Sequence, residues 1–228
     1  MAKIEPFEKL TERYDRWFEE HAGVYAAELQ ALRSLLPTSF SRGIEIGVGS
    51  GRFAAPLGID RGVEPSEKMA ALARQRGIDV VAGVAESLPL PDASFDLALM
   101  VTTICFVDDP LRSLQEMWRI LRPGGCCLLG FIDKDTPLGR HYLEHRAESD
   151  FYRNARFFAA EEVLALLRQA GFSGCDTVQT LFGRDLGELQ GDFEPGHGRG
   201  AFVAVRCHKG GQSTGNRAAG KEDVSWPG

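Results

Sequence analysis

The chain has 228 residues, of which 43% are hydrophobic and 25% charged, and a formal net charge of -6 at pH 7. That is enough material for one sizeable core, and the composition excludes a disordered or fibrous chain. The acidic balance argues against a nucleic-acid partner or an anionic membrane surface, and no apolar run is long enough to span a bilayer.

From Phe7 to Leu36 the apolar residues recur at steps of mostly three and four, which predicts helix. Gly23 is the expected break, giving two helices, and Pro37 stops the second. Strand one is Gly43 to Ile46. It runs into Gly47-Val48-Gly49-Ser50-Gly51, where a ligand or another backbone can approach closely because no Cβ stands in the way. Pro56 and Gly58 leave room for only a short helix over Arg52 to Leu57. Strand two, Gly62 to Val63, ends at Glu64-Pro65-Ser66. A helix over Glu67 to Gln75 and strand three, Asp79 to Ala82, follow.

A polar loop through Leu88-Pro89-Leu90-Pro91-Asp92 leads to Phe95 to Met100, a continuous apolar strand of the kind covered by helices on both faces. Asp109 is the expected N-cap of the next helix, with Pro110 at its first position. Arg122-Pro123-Gly124-Gly125 closes that helix and turns into strand five, Cys126 to Ile132. The polar segment 134–156 breaks the alternation and is expected to be helical in its middle. A helix over Ala160 to Ala170 and strands at Asp176 to Leu181 and Ala201 to Val205 complete the pattern. Gly183 to Gly200 reads as a surface excursion.

The expectation is one domain over 1–208, with N-terminal helices over 1–37, a core over 38–208, and a flexible tail over 209–228. The five cysteines (Cys105, Cys126, Cys127, Cys175, Cys207) form no CxxC pair and no His/Cys zinc spacing. No metal is expected. An odd cysteine count without a framework, and a charged Met1 to Leu10 with no signal core, point to a reducing cytoplasmic setting.

Alternating strands and helices with a glycine turn after strand one predict an α/β, doubly wound, Rossmann-like sheet, mostly parallel and seven-stranded. Four local patterns sharpen this. Glu45 precedes Gly47-x-Gly49-x-Gly51 by two positions, and Arg52 stands where the last glycine of a dinucleotide fingerprint belongs. Glu64 ends strand two. Gly83-Val84-Ala85-Glu86-Ser87-Leu88-Pro89 follows strand three, and Trp118-Arg119-Ile120-Leu121-Arg122-Pro123-Gly124-Gly125 ends the later helix.

Together these motifs resemble the class I S-adenosylmethionine-dependent methyltransferases, particularly the small-molecule group labelled type 11, over roughly Phe40 to Val205. The resemblance implies that S-adenosylmethionine is bound and S-adenosylhomocysteine released. It assigns Glu45 to the methionine amino group and Glu64 to the ribose diol. Gly47, Val48, Gly49 and Gly51 would form the close-passing turn, with Pro65 beside it. Val84, Ala85 and Glu86 would surround the adenine, and Thr102 would sit beside the methionine moiety. This chain departs from the family at Val84, where an acid usually contacts the adenine amino group, so that contact is missing or falls to Glu86.

N-terminal helices often roof the cofactor in this family, which makes Tyr14, Trp17 and His21 candidates for the acceptor side, together with Thr103, Phe106 and His141. Each has a structural reading too: an aromatic stripe at helical spacing usually packs, and a lone histidine is usually solvated. The implied reaction is direct displacement at the sulfonium methyl, which needs alignment more than a catalytic group, so no catalytic residue is assigned. A small-molecule acceptor fits best, with a homodimer left open. The alternatives are a cofactor-binding module or partner subunit without turnover, and a nicotinamide-dependent oxidoreductase.

Overall fold

The computed structural model describes residues 4–183 and 192–210. Eight strands form one sheet: β1 (Gly43–Ile46), β2 (Arg61–Glu64), β3 (Asp79–Ala82), β4 (Phe95–Val101), β5 (Leu121–Ile132), β6 (Phe172–Thr180), β7 (Glu194–Pro195) and β8 (Phe202–Lys209). Their order is β3-β2-β1-β4-β5-β8-β6-β7. The first five are parallel to their neighbours, and β8, β6 and β7 pair antiparallel. The expected seven strands become eight because Glu194–Pro195, inside the stretch read as a surface excursion, adds a two-residue edge against Val178 and Gln179. The order in which strands are added reverses between β1 and β4, which run parallel side by side with their other partners on opposite flanks. In such sheets that junction opens a crevice at the strands' carboxyl ends.

Three helices precede the sheet: α1 (Glu5–Lys9), α2 (Thr11–Glu20) and α3 (Ala22–Leu35). The expected break at Gly23 is displaced to Leu10 and His21, and Gly23 lies in the first turn of α3. The physical reason is the His21 ring. It stacks on Trp17 at 4.7 Å, its Nδ1 lies 3.1 Å from the Trp17 carbonyl, and its backbone N–H donates to the same oxygen, closing α2 there.

The later helices are α4 (Glu67–Gln75), α5 (Pro110–Ile120), α6 (Pro137–His145) and α7 (Ala160–Gln169). Asp109 caps α5 by accepting from the Arg112 amide at 3.0 Å, as its position before Pro110 predicts. α5 and α7 seal one sheet face, burying Leu114, Met117 and Val163 with Ile44, Ile46 and Met100. α3 and α4 seal the other, burying Leu32, Leu35 and Ala73 with Leu97, Leu99 and Phe202. Alternation along β1 therefore sends Ile44 and Ile46 to the first face and Glu45 to the second, where it is 1% exposed.

The cysteines depart from expectation. Cys175 and Cys207 form a disulfide between β6 and β8, while Cys105, Cys126 and Cys127 are free and buried. The two partners lie in adjacent antiparallel strands with Cα atoms 4.1 Å apart, a proximity that sequence spacing could not reveal. Lys209, expected as the first residue of the tail, departs from expectation too. It belongs to β8, its side chain donating to the carbonyls of Trp118 and Leu121, and residues 211–228 lie outside the described residues. No helix among the described residues is long and apolar enough to cross a membrane.

Candidate cofactor and acceptor site

The glycine turn after β1 is held closed by its neighbours. Gly47 adopts φ +70, and a Cβ there would lie 2.4 Å from the Thr103 side chain, whose hydroxyl donates to the Gly47 carbonyl at 3.2 Å. A side chain at this position would push the end of β4 away from the turn. The Gly49 amide donates to Glu64 Oε2 at 2.9 Å, and the Ser66 amide donates to Glu64 Oε1 at 3.0 Å. Glu64 thus ties the turn after β1 to the turn after β2. Burial pushes its carboxyl up to about 7, against the lowering effect of these two amides and with a further raise from the charge of Glu8.

Glu45 is the less satisfied of the two acids. Its Oε2 is buried with no hydrogen-bond partner among the described residues. Burial raises its carboxyl well above the ordinary range, the Ala54 amide lowers it, and the nearby Glu64 charge raises it further. An orphaned carboxylate oxygen beside an open turn is a site for a cation, because an isolated buried charge is otherwise very costly.

A narrow pocket of about 100 Å³ collects these groups. Of the expected residues, Glu45, Gly47, Val48, Gly49, Glu64 and Pro65 line it, as do Val84, Ala85, Glu86 and Thr102. Thr103, Phe106 and Tyr14 line it as well. Gly51 does not. Its φ of +83 and the Ile78 side chain, 2.5 Å from where its Cβ would stand, show that it lets the turn pack on Ile78 and α4. Glu86 reaches the rim, but its Oε1 already accepts from the Asp108 amide at 2.7 Å and the Asp109 amide at 3.3 Å.

A second cavity of about 700 Å³ adjoins the first, and Phe7, Tyr14, Phe18, Phe53, Thr102 and Phe106 line both. Trp17 and His141 line this second space, whereas His21 lines neither. His21 was expected at the acceptor side, but stacking on Trp17 turns its ring to the helix joint. The segment 134–156 supplies the far wall through Tyr142, Tyr152 and Phe151.

Sequence reading missed Glu28, Phe53 and Arg52 in these walls. Arg52 donates to both carboxylate oxygens of Asp15 at 2.8 and 2.7 Å, and to Glu19 at 2.8 Å, pinning α2 over the turn. Arg119, in the Trp118–Gly125 motif, donates to the carbonyls of Leu88 and Leu90 and to Asp92. That motif holds the 88–92 loop and touches neither cavity.

Comparison with known proteins decides the family. The family described as Methyltransferase domain matches residues 44–129. A crystal structure from Thermotoga maritima, described as an S-adenosylmethionine-dependent methyltransferase, possible histamine N-methyltransferase, is 52% identical. Its TM-score is 0.87, with 90% of this chain and 99% of that chain covered.

The chain belongs to the S-adenosylmethionine-dependent methyltransferases.

An uncharacterized protein of Methanocaldococcus jannaschii is 39% identical over 204 residues, covering 89% of this chain and 98% of its own. A methyltransferase structure from Mesorhizobium loti, 24% identical with TM-score 0.60 over 80% of this chain and 97% of that one, shares the fold. The methyltransferase sheet expected from the sequence is the fold observed, and neither the turnover-free module nor the nicotinamide reading gains support.

Proposed function

We propose that this methyltransferase binds S-adenosylmethionine in the Glu45–Glu64 pocket and transfers its methyl group to a small molecule held in the adjoining aromatic cavity. The observation that carries this is the buried, unpartnered Oε2 of Glu45 beside a glycine turn that Glu64 holds in place. The cofactor, when bound, supplies a methyl group already activated on a sulfonium sulfur, and S-adenosylhomocysteine is what remains.

The chain's own part is to bind and align. Glu45 pairs with the ammonium of the methionine moiety, which draws its carboxyl back into the charged form. Glu64 keeps lone pairs free of its two amide donors and accepts from the ribose hydroxyls. Val84 and Ala85 would hold the adenine, whose amino group would meet no acid at Val84 and, at Glu86, one already accepting from the Asp108 amide. Thr102, one of the residues lining both cavities, would sit where donor and acceptor meet. Its φ of +48 is held by its amide donating to the Gly130 carbonyl at 2.7 Å. Alignment of the acceptor along the sulfur–carbon axis at about 3 Å is the main contribution expected of such a site. The description of the Thermotoga maritima relative brings amines within the range of acceptors to be tried.

Calorimetry with S-adenosylmethionine tests the reading. Glu45→Ala and Glu64→Ala should each weaken affinity by about tenfold or more, that is about 1.4 kcal/mol. Unchanged affinity in both variants would remove the assignment. Release of S-adenosylhomocysteine in the presence of a metabolite pool then separates turnover from mere binding.

A further inference from the structure

The 700 Å³ cavity is walled mostly by aromatic and aliphatic side chains, yet it is lined by the Glu28 carboxyl, which no ion pair among the described residues neutralises. Glu28 is 5% exposed and sits on the buried stripe of α3, one turn from Val24 and one turn from Leu32. Among the described residues no hydrogen-bond donor and no cation reaches it. Burial alone acts on its carboxyl and pushes it up to about 8. Among the described residues the guanidinium in the lining is that of Arg13, already bound to Asp150 at 2.6 Å; the other acid there is Glu20, and the basic rings are His141 and His145, which lie against each other. Glu28 also lies within electrostatic reach of Tyr14, Tyr142 and Tyr152, whose phenols its charge raises.

A helix gains nothing from a lone acid in its buried face. An unpaired buried charge costs several kcal/mol unless something binds it, and removing it for an aliphatic residue is ordinarily neutral or stabilising. A cavity of this volume falls in the range of small-molecule sites, about 300–1,000 Å³, where a few polar groups in an apolar lining set orientation. A ligand that brings a positive charge restores the ionised carboxylate, and the aromatic walls favour that charge through their π faces. A neutral hydroxyl meets Glu28 only as an ordinary hydrogen-bond partner of the protonated carboxyl, and an anionic ligand brings no counter-charge that would ionise it.

We infer that Glu28 determines acceptor specificity by pairing with the ammonium of a small, aryl- or alkyl-bearing amine held in the aromatic cavity. The assignment rests on the cofactor reading above and adds to it the chemical class of the acceptor and the residue that selects it. Glu28 is an anchor in this account. The methyl is delivered from the Thr102 side, and the amine's apolar body fills the space between Phe106, Tyr142 and Tyr152.

Calorimetry on the full chain loaded with S-adenosylhomocysteine tests it, using 2-phenylethylamine, 2-phenylethanol and 3-phenylpropanoate as matched probes. The amine should bind about tenfold or more tightly than the alcohol, with the acid weakest. Glu28→Gln should abolish the preference by weakening the amine alone, while S-adenosylhomocysteine affinity stays unchanged. Equal binding of amine and alcohol by the parent chain, binding of none of the three, or a preference that survives in Glu28→Gln would overturn the assignment while leaving the cofactor site intact. The first two readings need no variant to fold. Failure of S-adenosylhomocysteine itself to bind would overturn the cofactor reading and this one with it.

Discussion

Among single side chains, Arg52 shows how one position can be read correctly for what it excludes and still be missed for what it does. Its place after Gly51 rules out the last glycine of a dinucleotide fingerprint. In the fold its guanidinium grips Asp15 with two hydrogen bonds, and Arg76 donates to the same carboxylate at 2.8 Å. Burial would raise the Asp15 carboxyl, but these bonds outweigh it and hold the group down at about 2. Its stabilising effect is therefore complete above the unfolded value near 3.8 and is lost as pH falls through about 2. Asp15→Asn should cost about 2 kcal/mol at pH 7, the scale of hydrogen bonds to charged groups. For a chain of this length that is a drop in Tm of roughly 4–8 °C by calorimetry. A variant as stable as its parent would show that α2 is held by its apolar face alone. Glu28 was equally within reach of the sequence. It interrupts an apolar helical stripe between Val24 and Leu32, which is the one signal that separates a pocket acid from a solvated one.

Between elements, the parallel half of the sheet was legible because glycine, proline and apolar runs mark its ends, and strand three, the helix over Glu67 to Gln75 and the Asp109 cap stand as read. What the sequence could not give was pairing across distance. β7 exists because Glu194 and Pro195 lie against Gln179 and Val178, and the Cys175–Cys207 link exists because β6 and β8 are neighbours. The helix joints were missed for a related reason, since His21 closes α2 through a side-chain stack that no periodicity encodes. α1 raises a dynamic question that its sequence left silent. It is five residues long with no buried residue, yet Ile4 just before it and Phe7 within it line the proposed cofactor pocket. A helix that short has little stability of its own; Phe7 packs on Tyr14, Phe106 and Phe151, and Glu8, accepting from the Ser66 hydroxyl at 2.6 Å, is its polar tie to the turn after β2. Release of α1 is the expected route for the cofactor into a pocket as narrow as this one. Glu8→Ala should accordingly speed both association and dissociation of S-adenosylmethionine in stopped-flow measurements, dissociation more than association. Rates identical to the parent would mean that the cofactor enters elsewhere.

Across the fold, three buried glutamates, Glu28, Glu45 and Glu64, line the two connected cavities, and burial raises all three above 4.5. Their common sign has a consequence for the ligand-free protein. The unfolded chain releases these protons near pH 4.5, whereas the folded one holds them to about 7 at Glu64 and about 8 at Glu28. Across that window the native state binds more protons than the unfolded state, so stability falls as pH rises, by at most about 1.4 kcal/mol per pH unit for each group. Below pH 4.5 the effect is fully favourable, and it is spent above about 7 for Glu64 and above about 8 for Glu28. Cationic ligands reverse the trend, because an ammonium beside Glu45 stabilises the ionised form that the empty pocket resists. Thermal melts from pH 5.5 to 8.5 should show the ligand-free Tm declining with pH while the increment from saturating S-adenosylmethionine grows. Glu28→Gln should flatten the decline without reducing that increment, since Glu28 lies outside the cofactor pocket. A ligand-free Tm that climbs through this window would mean the three acids are charged and compensated in the empty protein, and the cation-binding character assigned to both cavities would fall together.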